Sequence, residues 1–288
     1  MDGCRIFKFN TVMYQGRPSY EMFGQLHQCI MAGGCSRIEI DMSEYRYMHP
    51  AFAVLVASSI YLGDKYGKEV VIRYDIANQK LAQFLKQAGI CGCYYSPKHR
   101  TQLDSKNSSI PFNRFRRIED TYSTVEKILN CAPVYLSSAL KNQFISKITE
   151  IFSNAFEHGK SEIGVFCCGF INSSNHFSFS VYDAGVGVCT NVNRYLHTRL
   201  SNEKALEWAF DKTHSTLNGI VDYPRGAGLS LLESFSRANH GRIDFVTESA
   251  YCRIDSKSRK FYQLKNPIKG TIVSMNIHAD DRHIYLVD

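Results

Sequence analysis

The fold of the C-terminal half can be predicted outward from the segment Glu150-Ile-Phe-Ser-Asn154-Ala-Phe-Glu-His158-Gly159. Glu150, Asn154 and His158 are spaced by four residues, so on a helix of about 3.6 residues per turn they lie along one face. Another face is apolar at the offsets expected of a helix packed on a sheet. Its members are Leu140, Phe144, Ile148, Ile151, Phe152 and Ala155. The pattern predicts one long helix from near Val134 to Gly159.

The polar face of this helix has two interpretations. A carboxylate beside an amide oxygen suits a divalent cation and a polarised water, because the amide of Asn154 can ligate Mg²⁺ and Glu150 can take up a proton. The other interpretation is an amphipathic helix with ordinary solvated polar residues, and these three residues alone favour it. Two later stretches change that balance.

The predicted strand His176–Asp183, the hairpin partner of a strand at 162–170, ends in a carboxylate on its apolar side. The alternating residues on this side are Phe177, Phe179, Val181 and Asp183. A buried ionised carboxylate needs a donor, and no basic residue is adjacent in sequence, so the exocyclic amine of a purine would serve. Gly185 and Gly187 lack Cβ atoms and would let a flat base approach the backbone. The alternative is an aspartate that caps a glycine-rich turn.

The segment from Val188 to Pro224 shows one helical stripe, at 203–210, and is otherwise predicted to be a lid or a disordered loop. It leads into Arg225-Gly226-Ala-Gly228-Leu229, at the start of an apolar helix. Free N–H groups and the helix dipole make such a start a phosphate site, and glycine lets the backbone come close. Taken alone, this glycine pair is more typical of an ordinary helix start.

The first ninety residues alternate strand and helix patterns and predict a small α/β layer structure. Predicted strands are 5–9, 37–42 and 69–74, and predicted helices are 20–31, 51–62 and 81–88. We divide the chain into an N-terminal domain at 1–95, a basic linker at 96–120 and a C-terminal domain at 121–288. In the last of these, a short helix at 121–131 and strands at 241–247, 251–254 and 270–277 complete the prediction.

The three motifs, in this order, resemble the GHKL ATPase superfamily over about residues 121–278. The resemblance implies a two-layer α/β sandwich, the Bergerat ATP-binding fold, with ATP and Mg²⁺ as cofactors. It implies that Asn154 ligates Mg²⁺, that Glu150 is the catalytic carboxylate, and that Asp183 binds adenine. The remaining binding residues that it implies are Gly185 and Gly187 in the base pocket, Gly226 and Gly228 around the phosphates, Arg225 and Leu229 beside them, and His158 in a supporting role.

Glu150-Ile-Phe-Ser-Asn-Ala-Phe-Glu-His-Gly159 is most similar to the anti-sigma-factor serine kinases of that superfamily. The N-terminal element order and the Ile-Glu-Ile-Asp-Met-Ser strand resemble a STAS domain, which is the fold of anti-sigma-factor antagonists. The turn that carries a phosphorylatable serine in that family reads Met48-His-Pro-Ala-Phe52 here and has no hydroxyl. The resemblance therefore implies a docking or regulatory domain that is not switched by phosphorylation at this turn.

Composition narrows the class of protein. With 288 residues, 44% of them hydrophobic, the chain has the composition of a globular protein. It has neither an apolar run of membrane-spanning length nor a signal peptide, so we expect a cytoplasmic protein. Ten cysteines without a Cys-x-x-Cys pair do not predict structural zinc. The net charge of +7 and the basic linker leave nucleic acid as a less favoured partner.

The leading hypothesis is a cytoplasmic Mg-ATP-binding protein, either an ATPase or a serine/threonine-protein kinase. The competing hypothesis is a nucleotide-sensing interaction module with negligible catalysis, in which lid closure controls the binding of a protein partner. That partner would bind through the STAS-like domain or the lid. A third hypothesis, an ATPase associated with nucleic acid, depends on the basic linker alone.

Overall fold

The computed structural model describes residues 3–75, 78–90, 109–131, 138–171, 176–211, 233 and 241–278, and within them the protein is mixed α/β. The N-terminal strands are β1 (Cys4–Lys8), β2 (Val12–Met13), β3 (Arg37–Asp41), β4 (Tyr47–Met48) and β5 (Glu69–Arg73). The helices among them are α1 (Arg17–Met31), α2 (Ala53–Lys65) and α3 (Gln79–Gln87), with a 3₁₀ turn at Pro50–Phe52. Strands β1, β3 and β5 form a parallel sheet in that order, and β2 pairs with β4. The predicted alternation of strands and helices is confirmed here to within a few residues.

The C-terminal strands form one seven-stranded antiparallel sheet in the order β11-β10-β9-β12-β8-β7-β6. They are β6 (Ser109–Phe115), β7 (Val165–Ile171), β8 (His176–Asp183), β9 (Arg242–Thr247), β10 (Ala250–Asp255), β11 (Arg259–Gln263) and β12 (Thr271–His278). The helices are α4 (Tyr122–Cys131), α5 (Ser138–Asn154), α6 (Val188–Tyr195) and α7 (Asn202–Ala209), with a 3₁₀ turn at Ile118–Thr121 and a π-helical turn at Ala155–Gly159.

Alternation along each strand gives the seven-stranded sheet two buried faces. One face packs on the C-terminal helices, and its side chains join a core with Ile148 and Phe152 of α5. These side chains include Val165, Cys167, Phe177, Phe179, Val181, Ile243, Phe245, Cys252, Val273 and Met275. The predicted apolar stripe of the long helix is confirmed at Ile148, Ile151, Phe152 and Ala155, which are all buried.

The opposite face of that sheet is covered by the N-terminal unit, and the two share one hydrophobic core. Helix α2 is buried on all sides from Ala53 to Ser59, because β5 lies on one side of it and β7 and β8 on the other. Aromatic pairs cross the boundary at ring-centroid distances of 5.5–5.6 Å: Tyr20 with Tyr251, Tyr61 with Phe166, and Phe84 with Phe170. The molecule thus has helices, a sheet, further helices and a second sheet in succession.

Strand β6 corrects the predicted boundary between the two halves. Residues 109–115 lie inside the segment 96–120 that we predicted to be a linker, yet they pair with β7 at the edge of the sheet. Pro111 and the basic residues around it resemble a linker, but an edge strand tolerates proline because one of its sides makes no ladder hydrogen bonds. Residues 91–108, which include the first part of that segment, lie outside the described residues.

Within the described ranges, none of the helices combines the length and the apolar character that crossing a bilayer requires.

Glu162 of the C-terminal half forms an ion pair with Lys65 of α2 at 3.0 Å, at the rim of the boundary between the halves.

Candidate functional site

The end of α5 carries the polar residues of the first motif. Glu150 and Asn154 lie on the α-helix itself, both partly exposed, whereas His158 lies in the π-helical turn that follows. A π turn is wider than an α turn, so the predicted regular spacing of four residues holds from Glu150 to Asn154 but not on to His158. Lys160 then ends the helix in the left-handed conformation with φ of 51°. The amide of Asn154 makes no hydrogen bond within the described part of the chain.

Asp183 is buried at the end of β8, with 4% of its surface exposed. Its Oδ1 accepts a hydrogen bond from the backbone N–H of Gly185 at 2.9 Å, and among the described residues Oδ2 accepts none. Burial raises the pKa of this carboxyl to about 7, while the Gly185 N–H and the charge of Lys269 act in the opposite direction. The predicted sharing of one face with Phe177, Phe179 and Val181 is confirmed, since all three lie in the core beneath the helices.

The end of α5 and the turn after β8 are in direct contact. The backbone N–H of Val186 donates to the carbonyl of Gly159 at 2.8 Å. A Cβ atom on Gly159 would lie 2.5 Å from Asp183 Oδ1, and one on Gly185 would lie 1.8 Å from the Gly159 carbonyl oxygen. Both glycines are therefore required by the close packing of the first motif on the second. The chain places the helix that carries Asn154 beside the Asp183 carboxylate.

Helix α6 is fixed to the same junction. The side-chain amide of Asn191 donates to the carbonyl of His158 at 3.1 Å. Gly187, which precedes α6, has φ of 92°, and a Cβ there would lie 2.6 Å from the side chain of Glu248. Gly187 is thus needed for a left-handed turn in tight packing. The resemblance assigns this glycine to the base pocket, but the packing alone is a structural reason for it.

Two threonines that the sequence reasoning missed continue the polar row across the sheet. Thr271 pairs in register with Asp183 and with Thr247, so the three side chains lie side by side on the helix-covered face. The hydroxyls of the two threonines are 3.0 Å apart, and Thr247 Oγ1 also accepts the N–H of Val188 at 2.9 Å. The signal in the sequence was a threonine directly after Gly270, at the first position of a strand.

Glu248 holds the start of α6. Its two carboxylate oxygens accept the backbone N–H of Thr190 at 2.9 Å and the hydroxyl of Thr190 at 2.6 Å. A carboxylate at the first turn of a helix satisfies an unpaired N–H group and favours the positive end of the helix dipole. The start of α6 is therefore occupied by a protein carboxylate.

The predicted lid is regular over its first half. Helix α7 confirms the predicted helical stripe at 203–210, whereas α6 corrects the expectation of a loop before it. Helices α6 and α7 pack together, and their buried residues Cys189, Val192, Ala205 and Leu206 belong to the core. Ser201 caps α7 by accepting the N–H of Lys204 at 3.3 Å. The rest of the segment, 212–224, and the predicted phosphate residues Arg225, Gly226, Gly228 and Leu229 lie outside the described residues.

Two basic residues of the predicted linker make contacts within the fold. Arg114 lies over the Tyr61 ring at 4.3 Å and donates to the carbonyl of Ile163 at 2.7 Å. Arg117 pairs with Asp120 at 3.0 Å. A surface cavity of about 510 Å³ in the N-terminal unit is lined by none of the predicted site residues.

Residues of α5 and of the Asp183 turn carry oxygen atoms that could hold Mg²⁺ and a purine. An amide oxygen on Asn154 and a carboxylate on Glu150 are hard oxygen ligands, and the unshared Oδ2 of Asp183 is an acceptor for an amine. The described residues hold no group of three or more His, Cys, Asp or Glu side chains placed to bind a metal, so substrate phosphates would have to complete any Mg²⁺ shell. Comparison with protein-family models gives no match to this chain, and comparison with curated proteins gives none either. The site's own residues and geometry therefore carry the functional proposal.

Proposed function

We propose that the chain binds Mg-ATP at the junction of α5 and the Asp183 turn, as a GHKL-type protein, and that it is an ATPase or a serine/threonine-protein kinase of the anti-sigma-factor regulatory type. The observation that carries the proposal is the setting of Asp183. A carboxylate that is 4% exposed, with one backbone donor and an unshared second oxygen, stands directly beside the end of a helix with Glu150 and Asn154. A purine amine would supply the missing donor.

The row of polar groups on the sheet supports base recognition at this place. Asp183 and Thr271 are neighbours in register, so a ligand edge that donates to the carboxylate also reaches a hydroxyl. The hydroxyl can donate or accept, which suits the mixed donor and acceptor pattern of a purine.

Phosphoryl transfer at this site would depend mostly on positioning and charge neutralisation. Glu150 would orient the attacking water or hydroxyl and accept its proton while the new bond to the γ-phosphorus forms and the bond to the ADP oxygen breaks. Mg²⁺, when bound by Asn154 and the phosphates, would neutralise the developing charge. The predicted contributions of Arg225, Gly226 and Gly228 to phosphate binding belong to the same proposal.

The N-terminal unit is proposed to be a STAS-like docking or regulatory unit. Its turn at Pro50–Phe52 lies against β7 and β8, and His49 Nε2 is 3.1 Å from the side-chain amide of Asn276. This turn faces the C-terminal half of its own chain, which supports regulation within one molecule. A protein partner would then bind at the remaining surface of this unit or at the lid.

The test is calorimetric titration of the full chain with ATP, with and without Mg²⁺, followed by a radiolabelled phosphate-release assay. Asp183→Asn should abolish detectable nucleotide binding. Glu150→Gln should keep the affinity and lower turnover by about a hundredfold or more, since a general base contributes roughly that much. Glu157→Gln, an exposed carboxylate on the following turn, is the matched control and should change neither quantity.

The outcomes separate the alternatives. Binding without released phosphate or labelled protein would establish the nucleotide-sensing module in place of the enzyme. No binding by the unaltered chain would overturn the nucleotide proposal altogether. Stimulation of turnover by DNA or RNA would be required before nucleic acid is counted among the partners.

A further inference from the structure

A buried histidine of the N-terminal unit touches the segment that leads into the site. His27 lies on α1, is 0% exposed, and its Nδ1 accepts the backbone N–H of Lys269 at 3.0 Å. The backbone carbonyl of Lys269 accepts a hydrogen bond from the hydroxyl of Tyr182 at 2.7 Å. Both polar groups of the Lys269 backbone are thus held, one by each half of the molecule.

Lys269 lies two residues before Thr271, the threonine that faces Asp183. Gly270, the residue between them, is tightly packed. Gly270 has φ of 83°, and a Cβ there would lie 2.0 Å from the Asp183 carbonyl oxygen and 2.7 Å from the Gly185 nitrogen. This backbone is therefore in contact with the turn whose Gly185 N–H holds the Asp183 carboxylate. A displacement of Lys269 would be transmitted to that turn directly.

The chemistry of His27 argues against a role in packing alone. Its Nδ1 is an acceptor for Lys269, so the neutral ring carries its proton on Nε2. That Nε2 is buried and has no hydrogen-bond partner among the residues that the structure describes. An unpaired buried donor is costly, and an apolar side chain would avoid the cost. Burial also lowers the pKa of His27 to about 3, which keeps the ring neutral and the acceptor available.

We propose that His27 is a positioning residue: the N-terminal unit, through the His27 to Lys269 hydrogen bond, holds Gly270 and Thr271 against the Asp183 turn and so sets nucleotide affinity. The inference rests on the proposed function, and it makes the N-terminal unit part of the binding apparatus. Loosening of α1 from the sheet would weaken nucleotide binding without any change in the residues that contact the base.

The experiment compares His27→Leu, which removes the acceptor, with His27→Asn, whose amide oxygen can occupy the place of Nδ1. Hydrogen exchange of peptides covering 264–272 is measured without nucleotide, and the Kd for Mg-ATP is measured by calorimetry on the same full-length proteins. His27→Leu should speed exchange in this segment and raise Kd by roughly five- to tenfold, the size of one hydrogen bond. His27→Asn should restore both quantities toward their original values.

Glu21→Ala is the matched control, because Glu21 is another α1 residue that accepts a backbone N–H of the same segment, that of Lys265, at 3.3 Å. It should leave Kd unchanged. Unchanged exchange in a folded His27→Leu protein would overturn the inference, as would faster exchange with an unchanged Kd. If the unaltered chain binds no Mg-ATP, the proposed function fails, and the exchange measurement still decides whether His27 holds this segment.

Discussion

Asp183 and Asp244 lie on the two strands that flank β12, on opposite faces of the same sheet, and their surroundings differ. Asp244 faces the N-terminal unit and is 0% exposed. Its oxygens accept Arg242 Nε at 2.8 Å and Nη2 at 3.0 Å, and the Tyr251 hydroxyl at 3.0 Å. Asp183 faces the π-helical turn that follows α5 and accepts one backbone N–H.

The different surroundings of Asp183 and Asp244 separate two uses of a buried carboxylate. Burial raises the pKa of both groups, but at Asp244 a guanidinium and a phenol compensate, whereas at Asp183 the protein supplies little. A carboxylate with all its partners inside the fold holds the fold together. Asp183, which is left short of donors and lies against the turn that ends α5, is proposed to bind a ligand.

Removing the paired carboxylate should have the largest effect on stability. Asp244→Ala leaves the largely buried Arg242 guanidinium with the Tyr251 hydroxyl but without a carboxylate, and we expect the free energy of unfolding to fall by about 3–5 kcal/mol. Urea unfolding followed by circular dichroism measures this quantity. Asp183→Ala under the same conditions is the comparison, and an equal loss in both variants would abolish the distinction between the two carboxylates.

Neutralising the unpaired carboxylate should stabilise the protein. Because burial raises the pKa of Asp183 to about 7, its proton stabilises the fold fully below about pH 4, and this contribution is lost as pH rises through 7. Asp183→Asn keeps an acceptor for Gly185 and carries no charge, so at pH 8 it should raise the free energy of unfolding by on the order of 3 kcal/mol. Thermal unfolding at pH 8 and pH 5 checks the sign, since the gain should shrink at the lower pH.

Nucleotide affinity should depend on pH through the same group. An amine donor binds the ionised carboxylate, and with a pKa of about 7 this form falls from most to roughly a tenth of the molecules between pH 8 and pH 6. The Kd for Mg-ATP should therefore rise about tenfold over that interval. Calorimetry with ADP in parallel separates this effect from protonation of the γ-phosphate, and a flat profile for both nucleotides would remove Asp183 from base recognition.

The smallest effect concerns a third carboxylate, Glu248, which is paired with protein donors although it is only partly buried. Thr190→Val deletes the hydroxyl that donates to Glu248 at 2.6 Å and keeps the backbone N–H bond. We expect a loss of about 1 kcal/mol in the free energy of unfolding, the usual size of one such bond. Thr190→Ser, which retains the hydroxyl, is the control and should recover most of the loss.

Much of the fold could be predicted from the alternation of residues along the central strands. This alternation is visible because the two faces of these strands pack against different layers. Strand β8 was predicted with its observed bounds, and its alternation placed Asp183 on the correct face. In the seven-stranded sheet the prediction missed two strands, β6 and β11, and these are its two edges. Edge strands are half-exposed and carry charges and proline, so their sequences lack the alternating apolar pattern.

The contact between the halves was missed although the sequence held a sign of it. The run Ala53-Val-Leu-Val-Ala-Ser-Ser59 has no polar face, and a helix that is apolar all round is buried on all sides. The two serines satisfy their hydroxyls on the Leu55 carbonyl at 3.2 and 2.7 Å and therefore do not mark a solvated face. Likewise, no local pattern could connect His27 with Lys269, which is 242 residues away along the chain.

The shared core has a practical consequence for any attempt to divide this chain. A truncation that begins near residue 96 would uncover a broad apolar surface on the back of the large sheet, comprising Phe166, Phe170, Tyr182, Tyr251 and Ile272. Apolar patches of this kind drive aggregation when they meet water. The C-terminal half expressed by itself should therefore precipitate, and co-expression with residues 1–95 on a separate plasmid should rescue it.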